Sequence, residues 1–254
     1  MIDIHSHILP GLDDGARSVE EAVAMARNAW LDGITDMIVT PHTHDGIYHN
    51  SLAQIREAVE QLQQVLSSRG IPLTLHVGAE IHIHLELVEN LQTALLATLC
   101  DQYKYVLLEL PSYQLPRFTD KLIEELLKKG VTPIIAHPER LEVLCNQPQL
   151  LARWIAKGAV AQVTADSLTG KMGKSTKRVS EAMVKNRLVH LLASDAHHAT
   201  HRRAELSAAF SVLTELLSKE EAALFHENAK AVLRGLPCRV KEPAQAPARK
   251  WWFW

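Results

Sequence analysis

Short apolar, β-branched runs alternate with helical segments along almost the whole of this 254-residue chain, and that rhythm restricts its fold more than any other feature. The runs fall at residues 1–5, 36–40, 73–79, 105–110, 132–136, 159–163 and 188–193, giving seven candidate strands. Between them apolar residues recur at helical spacing, as in Leu52, Ile55, Val59, Leu62 and Leu66, or Leu122, Ile123, Leu126 and Leu127. Ser18 is followed three residues on by Glu21, and Ser51 by Gln54, two capping boxes in which each side chain satisfies an amide left open at a helix start. Gly33, Gly70, Gly130 and Gly158 each stand just before a strand, where a helix ends most easily on a left-handed residue. Repeated units of this kind, without a break in composition, imply an α/β fold with one parallel sheet and helices outside it. Periodicity does not separate an open, doubly wound sheet from a closed (β/α) barrel, and a length near 250 residues suits one barrel without excluding two domains.

Composition sets the limits on partners. With 47% hydrophobic and 22% charged residues and a net charge of -2, the chain can bury a core but projects no strong field, so no nucleic-acid partner is expected. An anionic substrate would have to be captured by a few local cations. Three unevenly spaced cysteines, Cys100, Cys145 and Cys238, suit a reducing compartment rather than a disulfide framework. None has an arginine six positions later, which argues against a phosphatase that attacks through a C-x5-R cysteine. The start, MIDIHSH, lacks a basic segment followed by an apolar stretch, and no apolar run reaches the ~18 residues of a membrane helix. A cytoplasmic protein is expected. Residues 1–236 read as the folded body and 237–254 as a flexible Pro/Ala-rich tail ending in WWFW. Aromatic residues beside Arg249 and Lys250 would suit contact with a membrane interface or a partner groove.

Residue types that bind metals gather at the predicted strand ends. Strand one ends in His5-Ser6-His7, strand two in Thr40-Pro41-His42, strand three in Ala79-Glu80, strand four in Leu108-Glu109, strand five in Ala136-His137 and strand seven in Ser194-Asp195-Ala196-His197. In parallel α/β folds those ends share one face. With Asp14 from the first loop the set is five imidazoles and four carboxylates, enough for two or three divalent ions. Taken singly, each has a duller explanation: an H-x-H pair can be structural, and a glutamate at a strand end is commonly solvated. Six separate strand ends carrying such residues are hard to obtain by accident. Carboxylates can bridge ions roughly 3.5–4 Å apart, while neutral imidazoles leave the cluster positive enough to acidify water and neutralise a phosphate ester. Oxygen and nitrogen donors without thiolate favour manganese, iron or zinc.

HSHILPGLDDG, TPH at 40–42, GAE at 78–80, Glu109, HPER at 137–140 and SDAH at 194–197 together resemble the PHP (polymerase and histidinol phosphatase) family, over residues 2 to about 236. HILPGLDDGA, TPHTHDGIY and the order HPER then SDAH look most like its manganese-dependent bacterial tyrosine phosphatases of capsule and exopolysaccharide synthesis. The resemblance implies a distorted seven-stranded (β/α) barrel, TIM-like, with three divalent ions, manganese foremost and iron or zinc as alternatives. His5, His7, Asp14, His42, Glu80, Glu109, His137, Asp195 and His197 would be the ligands, and Arg140 and Arg202 would bind the phosphoryl group. Arg203 is adjacent, so the second arginine could be one position on. The implied activity is hydrolysis of phosphotyrosine by a metal-bound hydroxide, on a bacterial tyrosine autokinase at the inner face of the membrane. A small-molecule phosphatase acting on histidinol phosphate or a nucleotide, and a non-catalytic metal-binding domain, are the alternatives. His82 and His84, on the face of Glu80, are expected at the rim rather than as ligands, Tyr48 and His44 could shape the entrance, and His198 and His201 have no assigned role.

Overall fold

In a computed structural model of the protein, residues 1–244 are described. All seven predicted runs contain strand, but two of them are interrupted. The strands are β1 (Ile2–Asp3), β2 (Asp36–Ile38), β3 (His42–Thr43), β4 (Thr74–His76), β5 (Glu80–His82), β6 (Tyr105–Glu109), β7 (Thr132–Ala136), β8 (Val160–Thr164) and β9 (Leu191–Ala193). They form a three-stranded sheet, β1-β2-β4, and a six-stranded sheet, β3-β5-β6-β7-β8-β9, and every pairing between them is parallel. The expected α/β fold is therefore present, with two sheets in place of one continuous seven-stranded ladder.

The interruptions have local causes. Pro41 has no N–H to give to a ladder, and it lies between β2 and β3. Gly78 lies between β4 and β5, where a Cβ would stand 2.8 Å from Ile38 Cγ2 and 3.0 Å from the Val39 carbonyl oxygen. The chain can pass there only without a side chain. Hydrogen bonds from Val39 N to His76 O (2.9 Å) and Thr40 N to Ser6 O (2.8 Å) extend the three-stranded sheet, and backbone hydrogen bonds link it to the six-stranded one, His7 N to Ala196 O (2.8 Å) and Asp195 N to His5 O (2.9 Å). The last two tie the extension of β1 to the chain leaving β9, with Ser6 and Ala196 in parallel register.

Helices α1 (Val19–Leu31), α2 (Leu52–Ser68), α3 (Leu87–Gln92), α4 (Thr119–Lys128), α5 (Glu142–Asn146), α6 (Pro148–Ala156), α7 (Ala165–Thr169), α8 (Lys174–Lys185), α9 (Ser207–Leu216) and α10 (Lys219–Leu233) separate or follow the strands. The buried face of α2 is Leu52, Ile55, Val59, Leu62 and Leu66, the set its periodicity predicts. Ser51 and Gln54 close a full capping box, whereas at α1 only Ser18 caps, because the Glu21 carboxylate accepts from Arg17 N instead. Alternate strand residues fall into two apolar groups. Ile4, Ile38, Leu107, Ile134 and Leu191 pack together with Ala229 and Val232 of α10, while Val39, Leu108, Ile135, Val163 and Leu192 join the larger core that the other helices cover. Parallel strands buried on both faces need this arrangement.

The segment after α10 departs from the flexible tail expected from residue 237. Tyr105 Oη donates to Leu236 O (2.6 Å) and accepts from Cys238 N (3.0 Å). Asn228 Nδ2 donates to Arg239 O (3.1 Å), Arg239 N donates to Asn228 Oδ1 (2.8 Å), and Ala244 N donates to Asn186 O (3.1 Å). Residues 236–244 are thus a strap across the N-terminal ends of the strands, held by side chains whose partners proline and alanine content could not reveal. The WWFW end lies outside the described residues.

Beneath this strap His190 is buried, and burial pushes its pKa down to about 4 although a backbone contact at Arg187 opposes this. Its neutral form is the folded form, so the unfolded chain takes up a proton near pH 6.5 that the native state refuses until about pH 4. Stability from this residue is complete above pH 6.5 and is lost as pH falls toward 4. Urea unfolding at pH 7 and pH 5 should show wild type losing about 2 kcal/mol more than His190→Gln. Equal losses in the two proteins would exclude His190 as the source.

Candidate metal centre

All nine predicted ligands converge. His5 and His7 lie two residues apart on the extension of β1, and β9 passes directly into Asp195 and His197. His42 opens β3 and Glu80 opens β5, paired in register with one another, and Glu109 ends β6 opposite His82. His42 and Glu80 thus begin the second halves of the interrupted runs rather than ending unbroken strands. The break that Pro41 and Gly78 impose is what carries both to the junction of the two sheets.

Three donor groups overlap, each with its ligand atoms within 4.8 Å of one another: His7, Asp14, His42 and His197; His5, His7 and Glu80; and His42, Glu80 and Glu109. His7, His42 and Glu80 are each shared by two groups, and of the three only Glu80, with two carboxylate oxygens, has the donors to bridge adjoining ions. Glu80 is the hub. Its Oε2 lies 3.2 Å from His5 Nε2 and from His42 Nδ1 and 3.4 Å from His7 Nε2, and its Oε1 lies 2.9 Å from His137 Nε2. Asp195 Oδ1 flanks the other side, 3.5 Å from both His5 Nε2 and His7 Nε2. Asp14, half-exposed, reaches His197 Nε2 at 3.3 Å.

The residues fit divalent cations. His5 Nε2 and His7 Nε2 face each other at 3.1 Å, an approach that a proton or a cation between their lone pairs relieves. Their other ring nitrogens are engaged, His5 Nδ1 with Gln162 Oε1 at 3.0 Å and His7 Nδ1 with Asp13 Oδ2 at 2.6 Å, while His197 Nδ1 meets Asp195 O at 3.0 Å. Nε2 of each is thereby presented to the centre. His42 Nδ1 and His137 Nδ1 are buried without a hydrogen-bond partner. Five carboxylates, from Asp13, Asp14, Glu80, Glu109 and Asp195, face two guanidiniums, so the field favours cations. It shows in the protonation preferences of these side chains. Burial opposes protonation of His7, yet the Asp13 carboxylate and then Glu80 raise its pKa to about 10. Burial likewise opposes ionisation of Glu80, but the imidazoles of His5 and His137 hold it well below the ordinary range. Burial and neighbouring His7 push His197 down to about 4, leaving it a neutral donor.

Both predicted arginines stand at the edge of the centre on one carboxylate. Arg140 pairs with Asp195 Oδ2, and Arg202 reaches the same oxygen at 2.8 Å and the Asp195 carbonyl at 3.3 Å. Each side chain remains about a third exposed, at 33% and 29%. Arg203 instead pairs with Glu205 at 2.9 Å, away from the centre. His137, Asp195 and Arg202 all adopt positive φ, at 33°, 53° and 50°. For side chains of these types that conformation costs on the order of 1 kcal/mol each, a strain that surrounding structure must hold. A cavity of about 570 Å³ adjoins Arg140, with Tyr113, Glu142 and Met172 among its walls.

Several neighbouring residues acquire roles the sequence left open. His82 Nδ1 lies 3.3 Å from Glu109 Oε2, and His84 stacks on His44 with ring centroids 4.2 Å apart, both at the rim as expected. Tyr48 lies nearly parallel to His42, at 6.4 Å. His198 turns away toward Glu21 of α1, and His201 packs against it. Asp13 and Gln162 were missed because each supports an imidazole from a distant or unremarkable position. A paired Asp-Asp before glycine was the one signal for Asp13. No cysteine belongs to the donor groups, although Cys145 lines the cavity beside Arg140, and burial pushes the Cys100 and Cys145 thiols up to about 12 and Cys238 to about 11, which disfavours the thiolate.

Comparison with known proteins agrees with this geometry. YwqE of Bacillus subtilis, a tyrosine-protein phosphatase, is 40% identical over 250 residues, covering 98% of each chain. CapC of Staphylococcus aureus is 34% identical over 253 residues, covering 100% of this chain and 99% of its own. Among solved structures, one from a pair comprising YwqE and CpsB of Streptococcus pneumoniae, metal-dependent tyrosine phosphatases, superposes with a TM-score of 0.94 at 39% identity. It covers 97% of this chain and 99% of the other. The profile of the family of capsular polysaccharide synthesis proteins CpsB/CapC matches residues 1–234, and with these relatives it establishes that the chain belongs to the CpsB/CapC family.

Proposed function

We propose that the protein is a metal-dependent protein-tyrosine phosphatase, hydrolysing phosphotyrosine on protein. The observation that carries this reading is the convergence of nine donors around Glu80 with two arginines beside it. Divalent ions held there would supply activated water and neutralise phosphoryl charge. His5, His7, Asp14, His42, Glu80, Glu109, His137, Asp195 and His197 are the ligands in this reading, for three ions, with manganese ahead of iron or zinc. Arg140 and Arg202 share Asp195 and so hold their guanidiniums in one place, where forked donors can orient phosphoryl oxygens and stabilise charge as the ester bond breaks. Burial of His5, His7, His137 and His197, with His42 partly exposed, limits the competition of bulk water for the same donors.

The two sheets are read as one distorted seven-stranded barrel, since the bonds from β1 to the segment after β9 close the ring. The biological substrate proposed is a bacterial tyrosine autokinase of capsule or exopolysaccharide synthesis, at the inner face of the membrane. No helix among the described residues is long and apolar enough to cross a membrane.

Turnover of a phosphotyrosine peptide by manganese-loaded protein, against histidinol phosphate and nucleotides, tests the assignment. Strong preference for a small metabolite overturns it, and binding of the peptide without hydrolysis would make the protein a regulatory domain. In the same assay Arg140→Ala should lower kcat/KM by about 10²-fold or more, and Arg203→Ala, whose guanidinium is paired with Glu205, should leave it nearly unchanged.

A further inference from the structure

Asp13 and Asp14 are neighbours with opposite surroundings. Asp14 is half-exposed and reaches toward His197 and His42, as a ligand would. Asp13 has a fully buried side chain and belongs to none of the three donor groups. Its oxygens are occupied by hydrogen-bond donors of the protein. Oδ2 takes His7 Nδ1 at 2.6 Å and the backbone N–H of His42 at 3.0 Å, and Oδ1 takes the N–H of Gly15 at 2.9 Å. One carboxylate therefore joins a ligand on the extension of β1 to the backbone of a ligand on β3, two residues whose rings stand 4.5 Å apart.

We infer that Asp13 is the positioning residue of the metal centre: by accepting from His7 Nδ1 it keeps Nε2 of His7 free for the ions, and by accepting from His42 N it sets the spacing of these two ligands. The inference rests on the reading of the centre as metal-binding. Chemistry explains why a carboxylate is required rather than a residue of its shape. Three N–H groups point at Asp13, and a carboxylate is acceptor on both oxygens. An amide in its place brings its NH2 against an N–H whichever way it turns: against His42 N and His7 in one orientation, against Gly15 N in the other. In the first orientation the amide also donates to His7 Nδ1. That moves the ring proton to Nε2, the atom aimed at the centre, and blocks it.

The test compares wild type, Asp13→Asn and Asp13→Ala as full-length proteins, with Zn²⁺ affinity measured by competition against a chromophoric chelator and helical content of the metal-free proteins by circular dichroism. Wild type is measured first, and failure to bind Zn²⁺ at all would refute the metal centre itself and this inference with it. With wild type binding, both variants should keep their helices and lose about 10- to 100-fold in affinity, as other supports of metal-bound histidine do. Folded variants that bind Zn²⁺ as tightly as wild type would overturn the role. Should neither variant fold, ¹⁵N NMR of Zn²⁺-loaded wild type decides: His7 protonated at Nδ1 and coordinating through Nε2 supports the inference, and coordination through Nδ1 overturns it.

Discussion

Glu80→Gln should sharply weaken both metal retention and turnover while leaving the fold standing. Glu80 is fully buried, belongs to two of the three donor groups, and brings one oxygen to His5, His7 and His42 and the other to His137. Glutamine has the same size, so packing is kept. Its amide, however, removes the negative charge that on the proposed reading would hold adjoining cations together, and sets an NH2 group among the imidazole nitrogens of His5, His7 and His137. Loss of a shared ligand should reduce turnover of a phosphotyrosine peptide by on the order of 10³-fold. Metal analysis after gel filtration should show fewer ions per chain than wild type, with helical content unchanged. A Glu80→Gln protein that keeps its metal and most of its activity would mean that Glu80 is only a neighbour of the site.

Gly15→Ala should damage stability and the centre together. Gly15 has an ordinary backbone conformation, so its need for glycine is one of space: a Cβ would lie 1.9 Å from His7 O and 2.6 Å from His7 Cβ. The obstacle is backbone and cannot rotate away. That carbonyl also accepts from Ala16 N (3.0 Å), and Gly11 N donates to Ala16 O (2.8 Å), which stitches the loop of residues 7–16 shut. An added methyl must push the loop off β1, at a cost of about 2–3 kcal/mol for overpacking in a closed site. In a chain of this size that is a fall in Tm of roughly 5–10 °C. The same movement carries Asp13, Asp14 and His7 apart, so the metal-loaded protein should lose more of its Tm than the metal-free one. An unchanged Tm in both forms would show that the loop yields without effort.

The strand runs, the helical periodicity and the glycine helix ends were readable because each depends on neighbours within a turn or a pleat. Gly33, Gly70, Gly130 and Gly158 all adopt the left-handed conformation their position demands. The list of donors was readable for a related reason, since ligand chemistry resides in residue type. Pro41 marks in the sequence where the run at 36–40 ends, but the pattern could not show the break after 73–79, because Gly78 is forced by Ile38 and Val39, forty residues away in the chain. Nor could the strap at 236–244 be foreseen, since its partners Tyr105, Asn186 and Asn228 belong to other elements. His198 and His201, which the sequence left without a role, lie together, with His198 facing Glu21 and His201 packed against its ring.

Periodicity and residue type by themselves determined a parallel α/β chain with imidazoles and carboxylates gathered at its strand ends, as these follow from near neighbours in the chain. Only the tertiary structure decided which partners the side chains meet: Asp14 faces His197 and His42 while Asp13 lies behind His7, and Arg202 is on Asp195 while Arg203 is on Glu205. The direction of a side chain leaving a loop is set by the hydrogen-bonding partners it meets there, and those partners are delivered by strands remote in sequence.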